Sequence, residues 1–142
     1  MKTEDMEKKI KYILCFVSSI VVDALGGWDI WLTALITTIC LDILTGIIKS
    51  LLMKSNKTLS GGLNSKSMFE GGIKRIFGLL LVALATVLDT IISTDDTYIR
   101  VMVVSYYIAN ESLSILENIG ACGIPLPQFL YSILDSLKND KK

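Results

Sequence analysis

Histidine is absent from the 142 residues. That removes the commonest general base, the commonest metal ligand and the usual switch near neutral pH. Cysteine is scarce, and Cys15, Cys40 and Cys122 are too far apart to form a CxxC pair. Neither a zinc site nor a disulfide framework is indicated. Cys15 and Cys40 lie in apolar runs, where a free thiol packs as a small hydrophobe. Net charge is absent too: 14 basic and 14 acidic residues cancel, so nothing points to nucleic acid. No internal repeat of the kind common in transporters is visible. No enzyme, cofactor or metal is expected.

What is present is apolar sequence gathered in blocks, with the charges mostly between them. The run Ile30 to Met53 has its first charge at Asp42, near its middle. As a helix it would reach roughly 36 Å, enough to cross a hydrocarbon core of about 30 Å. The expected fold class is all-α: a small integral membrane protein with three to four transmembrane helices and a short carboxyl-terminal amphipathic helix. The helices are predicted over 10–25, 30–53, 68–92 and 98–119, with 127–138 amphipathic and residues 1–9 a cytoplasmic tail. The first block is short for a span and could instead lie in the membrane interface. The fourth carries Arg100, Asn110, Glu111 and Glu117 and is also uncertain as a crossing.

The punctuation follows turn chemistry. Gly26-Gly27 breaks the first helix, and Trp28 and Trp31 bracket the entry to the second, as aromatics do at a membrane boundary. Residues 54–66 form a polar loop, and Ser67 to Glu70 has capping-box spacing. Pro127 can open the last helix, whose Phe129, Ile133, Leu134 and Leu137 share a face suited to lipid or a partner. If all four blocks cross, thirteen of the 14 basic residues fall on one side and only Arg100 on the other. That bias predicts both termini in the cytoplasm.

Each block carries an acid: Asp23, Asp42, Asp89 and Glu111. An ionised carboxylate at a bilayer centre costs roughly 3 kcal/mol or more, so the deep ones must face protein or water. Helical spacing puts Thr38, Asp42, Thr45, Gly46 and Lys49 on one stripe. Thr86, Asp89, Thr90 and Ser93 make a second, and Tyr107, Glu111, Ser114 and Asn118 a third. Candidate pore or interhelix polar residues are therefore Thr38, Asp42, Thr45, Asp89, Glu111, Ser114 and Asn118. Candidate packing residues are Gly46, Gly71, Gly78 and Ala85, the last three at seven-residue intervals. Each acid could equally be paired inside a small bundle, with Lys49 or Arg100 as the cation.

The run Tyr107 to Pro127, YIANESLSILENIGACGIPLP, resembles the signature of the toxin-secretion/phage-lysis holin family. Asp42-Ile43-Leu44-Thr45-Gly46 is similar to that family's D-x-x-T-G segment, Gly71 to Arg75 to its basic loop-to-helix junction, and Gly27-Trp28-Asp29 to its turn before the second block. The chain looks closest to the holin-like proteins associated with large clostridial toxins. The resemblance implies a small all-helical protein of the bacterial cytoplasmic membrane with no catalytic residues. Its implied partners are further copies of itself, membrane lipids, and an exported toxin or endolysin as cargo. An inhibitory antiholin and a small helical channel or transporter subunit are the alternatives.

Overall fold

The computed structural model describes residues 2–52, 65–92 and 98–132. Most of the polar loop 54–66, the acidic turn 93–97 and the end of the chain from residue 133, with its expected apolar face and lysines, lie outside the described residues. Among the described residues four long helices make up the fold: α1 (Lys2–Ala24), α2 (Ile30–Leu51), α3 (Ser65–Ile92) and α4 (Tyr98–Ala121). A short α5 spans 128–132, its first turn closed by the Leu130 amide donating to the Pro127 carbonyl at 2.9 Å. No strand occurs among the described residues.

The starts of α1 and α3 differ most from expectation. α1 runs through the region read as a tail. Acid-to-lysine spacings of four, Asp5 to Lys9 and Glu7 to Lys11, favour helix there, and no glycine or proline interrupts it. α3 is already helical at Ser65, which puts Ser67 inside the first turn rather than at a cap.

The α1–α2 turn is a Schellman motif. The Gly27 amide donates to the Val22 carbonyl and the Gly26 amide to the Asp23 carbonyl, both at 2.9 Å. Gly26 has φ +92°, a left-handed conformation suited to glycine. Asp29 then caps α2, its side chain accepting from the Leu32 amide at 2.8 Å.

Three helices meet along seams in steps of three and four. Leu32, Leu35, Ile39, Asp42, Gly46 and Lys49 line α2; Gly71, Arg75, Gly78, Val82, Ala85 and Asp89 line α3; Arg100, Val104, Tyr107, Glu111, Ser114 and Asn118 line α4. Every one of these residues is buried or half-buried. Steps of that kind keep one face toward a partner helix over many turns. α2 and α4 run parallel, since Asp29 meets Arg100 at one end and Thr45 meets Asn118 at the other. α3 runs antiparallel to both, with Asp89 beside Arg100 and Arg75 beside Glu111. α4 is the central helix, packing on α2 and α3, while α1 touches the rest lightly, through α3.

The apolar core is small: Leu25, Leu32, Leu35, Val82 and Val104. The opposite faces are apolar and exposed, including Leu80, Leu84, Val87 and Ile91 of α3 and Leu44 and Ile48 of α2. Two helices, Ile30–Leu51 and Met68–Ile92, are long and apolar enough to cross a membrane. In a lipid setting apolar burial would give little drive for helix association, and close packing and polar contacts would have to hold such a bundle.

Candidate functional site

Two polar clusters interrupt the apolar seams, and α4 contributes to both. The first sits where the α1–α2 turn, the end of α3 and the start of α4 converge. Arg100 is only 1% exposed. Its Nε donates to the Leu25 carbonyl at 2.6 Å, and Nη1 and Nη2 donate to the two Asp29 carboxylate oxygens at 2.6 and 3.2 Å. This is the bidentate pairing that a planar guanidinium favours. The guanidinium beside Asp29 holds its carboxyl below the usual carboxylate range, and the Leu32 amide lowers it further. Asp89 accepts from the amides of Ile99 and Arg100 at 3.0 and 2.8 Å. It thus caps α4 from the end of α3, satisfying amides that a helix start leaves open.

The second cluster lies about 16 Å further along α4, at roughly 1.5 Å per residue from Arg100 to Glu111. Asp42 of α2, Arg75 of α3 and Glu111 of α4 meet there. Arg75 Nη2 donates to Asp42 Oδ2 in a close ion pair. Arg75 Nε lies 3.4 Å from Glu111 Oε2. These two atoms attract as charges but are not aligned for a hydrogen bond, and both are buried without a hydrogen-bond partner. Asn118 Nδ2 donates to Asp42 Oδ1 at 3.1 Å and to Thr45 Oγ1 at 3.3 Å. Lys49 Nζ donates to Asn118 Oδ1 at 3.4 Å. A cavity of about 190 Å³ adjoins the cluster, lined by Asp42, Lys74, Arg75, Asn110, Glu111 and Ser114 among others.

The residues singled out from sequence are distributed over both clusters and the seams. Asp42, Thr45, Glu111 and Asn118 converge in the second cluster, with Ser114 on the cavity wall. Asp89 belongs to the first, on a seam with Ala85 and Val82 rather than with exposed Thr90. Thr38 joins neither; its hydroxyl donates to the Leu35 and Ala34 carbonyls of its own helix. Gly78 faces Tyr107, where an added Cβ would lie 3.0 Å from the ring. A Cβ at Gly71 would lie 3.3 Å from Arg75 Nη1, and one at Gly46 3.7 Å from Asn118 Nδ2. Ala85 is buried on the α3 seam.

Sequence reasoning placed Gly26 at a helix break and Asp29 and Arg75 in segments resembling the family, but gave none of them a site role, and it offered Arg100 only as a possible counter-ion. A signal existed for Arg75: it falls within the seven-residue repeat of Gly71, Gly78 and Ala85, four steps after the first. Gly26 carried only a generic turn signal, and Asp29 only its place in the Gly27-Trp28-Asp29 turn. Among the described residues no group of three or more histidines, cysteines or acids is placed to hold a metal ion.

Comparison with known proteins places this arrangement. An uncharacterised Clostridium perfringens (strain 13 / Type A) protein is 34% identical over 130 residues, 92% of this chain and 91% of its own. A 14.9 kDa Clostridium perfringens protein from the nagH 3′ region is 33% identical over 138 residues, 97% of this chain and 99% of its own. A probable holin of Bacillus phage phi105 is 32% identical over 100 residues, 70% of this chain and 68% of its own. No solved structure matches. The bacteriophage holin family matches residues 19–139, from the last turns of α1 to the carboxyl-terminal tail. On that extent the chain belongs to the bacteriophage holin family.

Proposed function

We propose that this chain is a lesion-forming holin. Copies assemble in the bacterial cytoplasmic membrane and open a passage through which a large cytoplasmic protein leaves. That cargo is a cell-wall hydrolase or a toxin lacking its own export signal. All four long helices cross, with both termini in the cytoplasm. A holin-like role and a membrane setting rest on the family, which is non-enzymatic, and on the two long apolar helices.

The observation that carries the lesion reading is the Asp42–Arg75–Glu111 cluster, three ionisable side chains brought together from three helices between faces that are otherwise apolar. A stable membrane anchor has no need of them. A buried ion pair is often no more stabilising than apolar side chains of the same volume. Its charges become useful when the bundle opens, because they can then line a wet surface. The same burial supports a crossing by α4: Arg100 and Glu111 face protein, not lipid, so their cost in the bilayer is met by partners.

Induced expression in a bacterium carrying a large cytoplasmic reporter tests this. Growth arrest, depolarisation and reporter release should follow accumulation in the membrane. Depolarisation without release would favour a small channel. Neither, at verified membrane levels, would favour a regulator of another pore.

A further inference from the structure

We infer that the bundle opens at one end only: Arg75 is the positioning residue that holds α3 closed against α2 and α4, and the Arg100 cluster is the pivot. The inference rests on the lesion-forming role proposed above and assigns its moving part.

The two ends of the bundle are built differently. At the Arg100 end each guanidinium nitrogen donates, to Leu25 or Asp29, and both Asp89 oxygens accept. Leu32, Leu35, Val82, Ala85 and Val104 next to it are buried. Each seam loosens toward the other end. Gly46 and Lys49 of α2, Gly71 and Arg75 of α3, and Ser114 and Asn118 of α4 are all only half-buried. Here Arg75 Nε and Glu111 Oε2 have no hydrogen-bond partner, and the cavity of about 190 Å³ lies where α2, α3 and α4 face one another.

The packing also singles out α3. α4 packs on both α2 and α3, whereas α2 and α3 share little direct packing. Across that gap the Arg75–Asp42 pair is the polar tie among the described residues. On the α4 side, Gly78 presents no side chain to Tyr107, so close approach there depends on Tyr107 staying in place. Groups left unpaired in a buried polar network lower the cost of taking it apart. At the other end, moving α3 would uncap α4 and strand a buried guanidinium. The lower-cost motion swings the Gly71–Gly78 half of α3 outward about Asp89. That motion delivers Asp42, Lys74, Arg75 and Glu111 to one opening, where water can solvate them.

The test uses the full chain in liposomes, with its three cysteines replaced by serine and paired spin labels introduced. Labels at Lys74 and Asn110, both exposed on the cavity rim, report the Arg75 end. Labels at Leu88 and Met102, both exposed on the groove near Arg100, report the pivot. At rising protein-to-lipid ratio the 74/110 distance should broaden toward longer values while the 88/102 distance stays single and narrow. A 74/110 distribution as narrow as 88/102, or broadening of both together, overturns the inference. This readout needs no lesion, so it stands even if reporter release fails. In cells, a short thiol crosslinker across 74/110 should abolish release and one across 88/102 should leave it within about twofold of the uncrosslinked protein. The reverse pattern, or equal block by both, overturns it. Failure of the uncrosslinked proteins to release counts against the lesion role alone.

Discussion

A side chain at residue 26 and the side chain of Arg100 compete for the same space. A Cβ at Gly26 would lie 2.7 Å from Arg100 Cδ and closer still to Nε. Gly26 and Gly27 both have positive φ, but the space around Gly27 is open. The pair therefore separates two costs. Gly27→Ala should lose only the backbone term, about 1–2 kcal/mol for a left-handed alanine. Gly26→Ala should lose a further ~1–3 kcal/mol of overpacking, because Arg100 is held on three sides. Thermal unfolding of the two variants in one detergent gives the difference, and equal losses would mean that Arg100 is free to move.

The Asp29–Arg100 pair should be visible in the pH dependence of stability. Arg100 donates to the Asp29 carboxylate, and its charge and the Leu32 amide add to that, so the folded carboxyl sits below its ordinary value of 3.8. A depressed folded value means that the contribution is complete above the unfolded value and is lost as pH falls through the folded one. Melting temperature should therefore drop below about pH 4, and Asp29→Asn should flatten part of that limb. A wild-type-minus-variant curve that is level through this range would show that the pair does not couple to folding.

Gly78 and Tyr107 make a similar test inside the α3–α4 seam. An added Cβ would come within 3.0 Å of Tyr107 Cε1 and 3.3 Å of Cζ. Gly78→Ala gains roughly 1 kcal/mol of helix propensity and loses ~1–3 kcal/mol to crowding. Gly78→Leu should separate the helices outright. Tyr107→Ala placed beside Gly78→Leu should restore part of the stability. Crosslinking ladders in membranes then show whether oligomers fail only when the monomer does; a ladder lost with the monomer intact would put Gly78 on an intermolecular face.

How much of this was legible in the sequence varies with the kind of contact. Helical spacing put Asp42 with Thr45, and Glu111 with Ser114 and Asn118, because a stripe is a property of one helix. The Gly71–Gly78–Ala85 interval pointed to a packing seam for the same reason. Which stripe faces which helix depends on chain direction and turn length, which the periodicity of one helix does not carry. Asp89 looked like one of a row of threonines; the turn after α3 instead brings it to the first amides of α4. Arg100 looked like a topology outlier in a weak span, since its partners, Leu25 and Asp29, are more than seventy positions away in sequence. At the amino terminus charge suggests a tail, while the acid-to-lysine spacing favours the helix that forms there.

Topology has its own test. In a cysteine-free background, a membrane-impermeant thiol reagent should label cysteines placed at Trp28 and Thr94. It should spare those at Lys57 and Asn139 in intact cells. The asymmetry follows from thirteen basic residues on one side and only Arg100 on the other. The structure adds a reason for Arg100 to be tolerated there: its charge is paired with Asp29 and shielded from solvent. Outside labelling at residue 57, before any lesion forms, would invert the orientation.

The sharpest test concerns Asp42 and Arg75 together. Removing one partner of a buried pair leaves a charge without compensation and costs about 3–5 kcal/mol. Asp42→Leu should therefore weaken the closed bundle, since among the described residues Arg75 is left with the misaligned Glu111. Asp42→Asn can still accept from Arg75 and Asn118 and should cost less, while changing the onset of depolarisation. Replacing both, Asp42→Leu with Arg75→Leu, should recover stability or exceed wild type, as apolar replacements of buried pairs often do. Stability and function then part company. The double variant should insert, fold and resist heat, yet depolarise late or not at all, because the surface it would turn toward water has lost the Asp42 and Arg75 charges. Melting temperature and depolarisation time at matched membrane levels give the two readouts. A double variant as stable and as fast as wild type would mean that the Asp42–Arg75 pair serves neither opening nor its timing.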